Sequence, residues 1–333
     1  MATLKEIAEI AGVNVSTVSK ALRDSSDINE ETKLKISRIA GELNYKHGII
    51  KRKMSNGFGT IGVICPEIAS DYYAQIIRKI EDEIKGEGYF CIIGFTDFDA
   101  EKEQYYLRNL LDAGVQGIIF ISENPELNSV LLEYKKDTSI PLVLIAQNTE
   151  TREFDCIKID DGYGIKLAVE HLIRAGHKDI GYIGDELSCA RLDTFVKVMQ
   201  ENNMKLNKKW MQTGRERFEK CGYELMGGIL KNGDMPTAIL GAYDDIAIGA
   251  IKAIHDHGMA VPDDISVIGI DNIRVASYYN PEITTVAGPV EEMGKIAAKL
   301  LLKKIKDDCY KVVQNVMLQP ALIRRKSTAE KRL

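Results

Sequence analysis

The stretch TLKEIAEIAGVNVSTVSKAL, Thr3–Leu22, decides how the chain begins to fold. Leu4, Ile7, Ala8 and Ala11 recur at helical spacing, and Gly12 supplies the stop that a residue with free access to positive φ provides. After a short turn, NVSTVSKAL predicts a second helix with Val18, Ala21 and Leu22 facing inward. Its outer face carries Ser16, Thr17, Ser19 and Lys20 rather than the Glu/Lys pairs of an ordinary surface helix. Hydroxyls and a lysine suit phosphate oxygens and base edges. A third segment, NEETKLKISRIAGELNY, places Ile36, Ile39, Ala40 and Leu43 on one face. Asn29 caps it, and Glu30 and Glu31 lie in its positive first turn. Two short helices joined by a tight glycine-containing turn form a helix-turn-helix unit, and the third helix completes its core.

Charge sharpens that reading. Residues 1–59 hold 10 Lys and Arg against 7 Asp and Glu, whereas the remaining chain holds 34 against 42. A slightly basic head on an acidic body implies that only the head meets a polyanion. No apolar run approaches the roughly 18–20 residues of a membrane span, and the acidic N-terminal segment does not resemble an export signal. The six cysteines are scattered without a C-x-x-C pair and read as reduced small hydrophobes of a cytoplasmic protein. The five histidines show no ligand spacing, so no metal is expected. No cofactor is expected either.

The basic connector KHGIIKRKMSNGFGT (46–60) reads as a linker or a marginal helix. Its GFGTIG run matches G-x-G-x-x-G, but the glycines precede a strand instead of following one, so a dinucleotide fingerprint is excluded. From residue 60 apolar strand-like runs alternate with helical stretches: TIGVICP, YFCIIGF, VQGIIFIS and IPLVLIAQ, then CIKID, DIGYIGD, TAILGA and ISVIGID. Such alternation predicts parallel sheets covered by helices. Nine or ten strands over this length predict two doubly wound lobes. Ligands of such sheets sit beyond the carboxyl ends of the strands. That rule selects the stretch after Pro66, then Asp97, Ser122, Gln147, Asp160, the stretch after Gly184, Tyr243–Asp244 and Asp271. Tyr72 and Tyr73 follow the first strand, either as core aromatics or as a stacking surface. Arg191 lies near a helix start, where in a cleft its planar fork would bind a carboxylate or paired hydroxyls. Asp244 and Asp271 end separate strands and could accept hydrogen bonds from hydroxyl pairs. The nucleophile elbow G-x-S-x-G and the Walker A loop are absent, and no carboxylates are paired by spacing, so an enzyme is not expected.

These residues resemble a known family. TLKEIAEIAGVNVSTVSKAL and INEETKLKISRIAGELNY closely resemble the N-terminal signature of the lac-repressor (LacI/GalR) family of transcription regulators. IGVICPEIASDYYAQIIRKIEDEIKGEGY, VEHLIRAGHKDIGYIG, TAILGAYDDIAIGAIKAI and VPDDISVIGIDNIRVASYYNPEITTV resemble its effector domain, whose two lobes are of the periplasmic-binding-protein type. The resemblance implies a DNA-binding headpiece over 1–45, a hinge over 46–59 and an effector and dimerisation domain over 60–333. Lobe 1 would comprise about 60–158 and 289–318, and lobe 2 about 159–288 and 319–333. It further implies a homodimer reading a pseudo-palindromic DNA operator, as a repressor whose small-molecule effector changes hinge geometry.

By the same resemblance, Val15, Ser16 and Lys20 fall on base-reading positions, and Thr17 and Ser19 on phosphate-contacting ones. Arg52 and Met54 fall in the hinge, Met54 as the minor-groove wedge. Tyr72, Tyr73, Arg191, Asp244 and Asp271 fall on effector-contacting positions. Gln147 and Tyr243 depart from the family's usual residues there, and Arg217 appears near a frequent Phe, which predicts a more cationic pocket. Lys20 replaces a frequent Arg. Two Asp, one Arg and aromatic rings fit a neutral sugar best, with a purine, a uronate or a sugar phosphate as the alternatives. The C-terminus lacks a leucine heptad, so a dimer is expected rather than a coiled-coil tetramer. The competing readings are a cytoplasmic sugar-binding protein with little DNA specificity and a two-lobed enzyme acting on a sugar or nucleoside.

Overall fold

A computed structural model describes residues 3–22, 27–43, 59–124, 127–147, 151–307 and 309–331. The chain divides into two compact units, Met1–Asn56 and Gly57–Leu333.

In the first unit, α1 (Leu4–Ala11), α2 (Val15–Leu22) and α3 (Glu30–Glu42) enclose a core of Ile7, Ala8, Ala11, Val18, Ala21, Ile36, Ile39 and Ala40. Their ends are fixed by local chemistry. Thr3 and Glu6 form a reciprocal capping box: the Glu6 N–H donates to Thr3 Oγ1 at 3.3 Å and the Thr3 N–H to Glu6 Oε2 at 2.6 Å. Gly12 closes α1 at φ +70°, a conformation that costs a residue with a Cβ. Asn29 Oδ1 accepts the Thr32 N–H at 2.8 Å, capping α3. Lys35 Nζ donates to the Ala11 carbonyl at 3.0 Å, satisfying an end of α1 from another helix.

The second unit alternates strand and helix. Its first half runs β1 (Gly59–Cys65), α4 (Asp71–Lys85), β2 (Tyr89–Phe95), α5 (Ala100–Asp112), β3 (Gly117–Ile121), α6 (Leu127–Asp137), β4 (Leu142–Ile145) and β5 (Asp155–Ile159). Then follow α7 (Asp161–Arg174), β6 (Ile180–Asp185), α8 (Cys189–Glu201), β7 (Met211–Gly214), α9 (Phe218–Lys231), β8 (Ala238–Gly241), α10 (Asp244–Asp256), β9 (Ser266–Ile270) and β10 (Thr284–Ala287). The chain closes with α11 (Val290–Lys306), β11 (Asn315–Leu318) and β12 (Ala321–Ile323).

Two six-stranded sheets result, ordered β11-β5-β4-β3-β1-β2 and β12-β10-β9-β8-β6-β7. They are the two α/β lobes that strand–helix alternation predicts. All pairings are parallel except that of β12 with β10. The closing run VVQNVMLQPALIRR splits between the lobes, β11 edging the first sheet and β12 the second. The inner strands β1, β3, β4, β6, β8 and β9 are buried almost throughout on both faces, as helices on both sides require. Helices α9 and α10 touch backbone to backbone. A Cβ on Gly222 would lie 1.9 Å from the Ile246 carbonyl oxygen, and one on Gly249 1.9 Å from that of Glu219.

The chain crosses between lobes three times, after β5, after β10 and after β11. The crossings run side by side. The Asp160 N–H donates to the Leu318 carbonyl at 2.9 Å, and a Cβ on Gly288 would strike Ile159 at 2.6 Å. Among the described residues no helix is long and apolar enough to cross a membrane.

Candidate functional site

Two surfaces carry chemistry. The first is α2. Val18 and Ala21 are buried, while Val15, Ser16 and Lys20 are exposed and Thr17 and Ser19 half-buried. The hydroxyls therefore stand free of the core, as the sequence pattern requires. Lys20 Nζ lies 3.0 Å from Asp27 Oδ2 in an exposed pair. Arg52 and Met54, with Lys51, lie outside the described residues.

The second is a cleft between the carboxyl ends of the two sheets, enclosing about 790 Å³ of empty space, part of it open to solvent. Lobe 1 contributes Tyr72, Tyr73, Phe98, Glu123 and Gln147; lobe 2 contributes Asp161, Asp185, Arg191, Arg217, Tyr243 and Asp271, among others. Of the residues that sequence reasoning selected, Tyr72, Tyr73, Gln147, Arg191, Tyr243 and Asp271 all line this one cavity.

Arg191 is its electrostatic centre. Its Nε and Nη2 donate to Asp161 at 3.1 and 3.4 Å, its Nη1 donates to the Ala242 carbonyl at 2.7 Å, and Nη2 lies 3.7 Å from Asp271 Oδ1. Burial opposes its charge, but Asp161 and Asp271 outweigh burial and hold it protonated. Asp271 ends β9 at φ +97° with Asn272 at φ +53°, two left-handed residues in succession. Side chains rarely adopt such φ outside functional turns. Burial pushes the Asp271 carboxyl up to about 6, with Arg191 opposing.

The aromatic walls come from both lobes. Tyr72 and Tyr73 meet edge to face with centroids 5.0 Å apart, and Tyr73 meets Phe98 at 6.2 Å. The Tyr73 hydroxyl donates to Glu123 Oε1 at 3.3 Å. Burial, reinforced by the charge of Asp161 across the cleft, pushes Glu123 up to about 7. Gln147 Oε1 accepts the Ile159 N–H at 3.1 Å, while its Nε2 is buried without a hydrogen-bond partner. On the far side the Tyr243 hydroxyl donates to Asp185 Oδ2 at 2.7 Å and accepts the Phe218 N–H at 3.1 Å. Arg217 Nε donates to the same Asp185 oxygen at 3.4 Å. The Arg217 guanidinium sits 4.5 Å from the ring centroids of both Phe98 and Phe218, bridging the lobes. Both phenylalanines are left-handed, at φ +61° and +58°.

Two expectations are corrected. Asp244 does not line the cleft. It is fully buried, Oδ1 accepting from the Thr285 hydroxyl at 2.6 Å and Oδ2 from the Ile273 N–H at 2.9 Å. Both oxygens are consumed in holding the Asp271–Ile273 turn against β10, and burial pushes the carboxyl well above the usual range. Its neighbour Asp245 lines the cleft instead and is pushed up to about 7, by burial and then by the charge of Glu219. Nor is the pocket more cationic. Among the described residues five carboxylates line it against two guanidiniums, and Arg217 is engaged with Asp185.

Sequence reasoning missed Phe98, Glu123 and Asp161, while Asp185 opens the selected stretch after Gly184. The signal was one residue away: Asp97, Ser122 and Asp160 had been selected. Asp160 instead caps α7 through the Tyr163 N–H at 2.9 Å, and Ser122 turns into the lobe to donate to Glu103 at 2.5 Å.

Comparison with known proteins finds relatives of both units. Residues 3–47 match the model of bacterial regulatory proteins of the lacI family, and residues 169–328 that of the periplasmic binding protein-like domain. Over 332 residues the chain is 33% identical to the HTH-type transcriptional repressor PurR of Pasteurella multocida (strain Pm70), covering 98% of each. Among solved structures, the lac repressor dimer bound to operator and the anti-inducer ONPF is 26% identical, with a TM-score of 0.74 over 98% of this chain and 99% of that one. A LacI family regulator from Enterococcus faecium with bound ribose is 27% identical, with a TM-score of 0.73 over 82% of this chain and 100% of that one.

Proposed function

The chain belongs to the lacI family of bacterial regulatory proteins and is a DNA-binding transcriptional repressor; from that premise we propose that a carbohydrate bound between the lobes sets its affinity for a pseudo-palindromic operator. The observation that carries this reading is the cleft itself. A guanidinium, a buried side-chain amide and carboxylates converge among aromatic rings, which suits a ligand rich in hydroxyls. The ribose held by the Enterococcus faecium neighbour supports the same class.

The working form is a cytoplasmic homodimer, in line with the lac repressor dimer on its operator. Each α2 enters a major groove. Val15, Ser16 and Lys20 meet base edges and Thr17 and Ser19 meet phosphates. Arg52 and Met54 belong to the hinge, with Met54 wedging the operator's centre. The cleft is built from both lobes, so a ligand that bridges them favours one lobe arrangement over another. The arrangement sets the spacing of the hinges, and DNA affinity follows. By reciprocity DNA then alters effector affinity to the same extent.

The test is fluorescence anisotropy of the intact protein on its own upstream DNA and on random duplex, across a salt series, with and without a carbohydrate panel. The reading expects sequence preference, a steep salt dependence that Lys20→Ala reduces, and an affinity change with a carbohydrate that Asp271→Ala abolishes. Equal affinity for both duplexes would favour a sugar-binding protein with a vestigial head. Sequence preference untouched by every carbohydrate would remove the effector assignment.

A further inference from the structure

The balance of charge in the cleft goes further than its hydroxyl chemistry. Five carboxylates line it: Glu123, Asp161, Asp185, Asp245 and Asp271. Among the described residues two guanidiniums answer them, and both are committed. Arg191 is shared between Asp161 and Asp271, and Arg217 is held by Asp185. The lining thus carries a formal excess of negative charge, and like charges brought together at a partly buried site repel more strongly than in water.

A second observation points to what fills it. Asp185 is 2% exposed and lines the cleft, its Oδ2 accepts from Tyr243 and Arg217, and its Oδ1 is buried with no hydrogen-bond partner. A buried carboxylate oxygen left without a donor is costly, and its natural complement is a charged donor. A third observation is that the aromatic walls already accept a cation. The Arg217 guanidinium rests 4.5 Å from both Phe98 and Phe218. Among the described residues no group of acids, histidines and cysteines is arranged to hold a metal ion, so an organic cation is the fitting complement.

We propose that the sugar bound by this cleft carries a protonated amino group, which pairs with the carboxylates around Asp185 and Glu123. This rests on the carbohydrate reading above and names its charge. An ammonium offers three donors and no acceptor, matching a lining in excess of acceptors. The same lining rejects sugar acids and sugar phosphates, whose anions meet the carboxylates. Burial pushes Glu123 and Asp245 up to about 7, helped by the charge of Asp161 on the first and of Glu219 on the second, a repulsion that a bound cation counters. A bound ammonium restores the ionised form of both.

The experiment is a titration calorimetry panel at pH 7 on the intact protein. It compares glucose, galactose and mannose with their 2-amino, N-acetylamino and uronic acid forms. The N-acetyl forms retain the nitrogen but not its charge. At least one amino sugar is expected to bind about tenfold or more tightly than both its parent and its N-acetyl form, the discrimination a charge-assisted hydrogen bond supplies. The isosteric variants Asp185→Asn and Glu123→Gln, with folding checked by their melting midpoints, are expected to lose that preference. Neutral sugars binding as tightly as their amino forms, or uronic acids binding best, would overturn the amine assignment and leave the carbohydrate reading standing. Heat with no member of the panel would overturn both, whatever the operator affinity.

Discussion

Asp244 separates two accounts of the same residue. In one it touches effector; in the structure it is a buried strut. Replacing it with alanine removes both acceptors at once, leaving the Ile273 N–H and the Thr285 O–H without acceptors. Each buried donor so orphaned costs about 1–3 kcal/mol, so Asp244→Ala is expected to lose about 2–6 kcal/mol. For a unit of this size that lowers the melting midpoint by roughly 5–15 °C. Asp244→Asn keeps one acceptor for the Ile273 N–H, and its amide can donate to the Thr285 oxygen, so its loss is expected to be less than half as large. The assay is thermal and urea unfolding followed by circular dichroism, with effector titration of whatever remains folded at low temperature. The Asp271–Ile273 turn loses its anchor in the alanine variant, so effector affinity falls as a consequence of instability. An Asp244→Ala protein that melts within about 2 °C of the parent yet no longer responds to effector would refute the strut and restore the contact.

Other expectations concern different parts of the chain. Gly249→Ala places a methyl into the Glu219 carbonyl, and the backbone cannot yield as a side chain would; a loss of at least about 3 kcal/mol is expected in urea unfolding, with Gly227→Ala, which meets open space, near neutral. Glu123 titrates near 7 in the folded protein against the ordinary carboxylate value when unfolded. Below about pH 4 both states hold its proton, and as pH rises the unfolded chain releases it first, so the folded state loses stability up to and just beyond pH 7. Glu123→Gln removes that loss, so its advantage over the parent in unfolding free energy is expected to grow from near zero at pH 4.5 to as much as about 3 kcal/mol at pH 8. A constant difference across that range would refute it. In the headpiece, Asp27→Asn releases Lys20 from its 3.0 Å pair. Anisotropy is expected to show tighter DNA binding, whereas Lys20→Ala lowers the slope of log affinity against log salt by about 1.

Much of this was legible because short-range chemistry dictates it. Gly12 and Asn29 are caps whatever surrounds them, and the apolar spacing of α1–α3 leaves one way to bury them. The alternation from residue 60 onward likewise fixed parallel sheets in two lobes, and the rule that ligands gather at strand carboxyl ends brought Tyr72, Tyr73, Gln147, Arg191, Tyr243 and Asp271 to one cavity. What failed to show was orientation within a turn. Asp160 and Asp161 are adjacent acids, and only the path of the chain decides that the first caps α7 and the second meets Arg191. Asp244 and Asp245 exchange roles for the same reason. Phe98 reaches the cleft because its backbone turns left-handed, against the preference of a bulky residue, and no local pattern announces that. The stretch that holds β11 and β12 reads as one largely apolar run, and only the family resemblance places a lobe boundary at 318/319, where the two strands split.

That split has a consequence in time. The three-helix unit is complete in sequence by residue 43, whereas each lobe receives an edge strand only from residues 315–323. Domains fold as they emerge during synthesis. A growing chain therefore carries a finished DNA reader long before its sensor can close. Loss of residues 315–331 would not trim a tail; it would take a strand from both halves of the sensor together, leaving a reader with nothing to govern it.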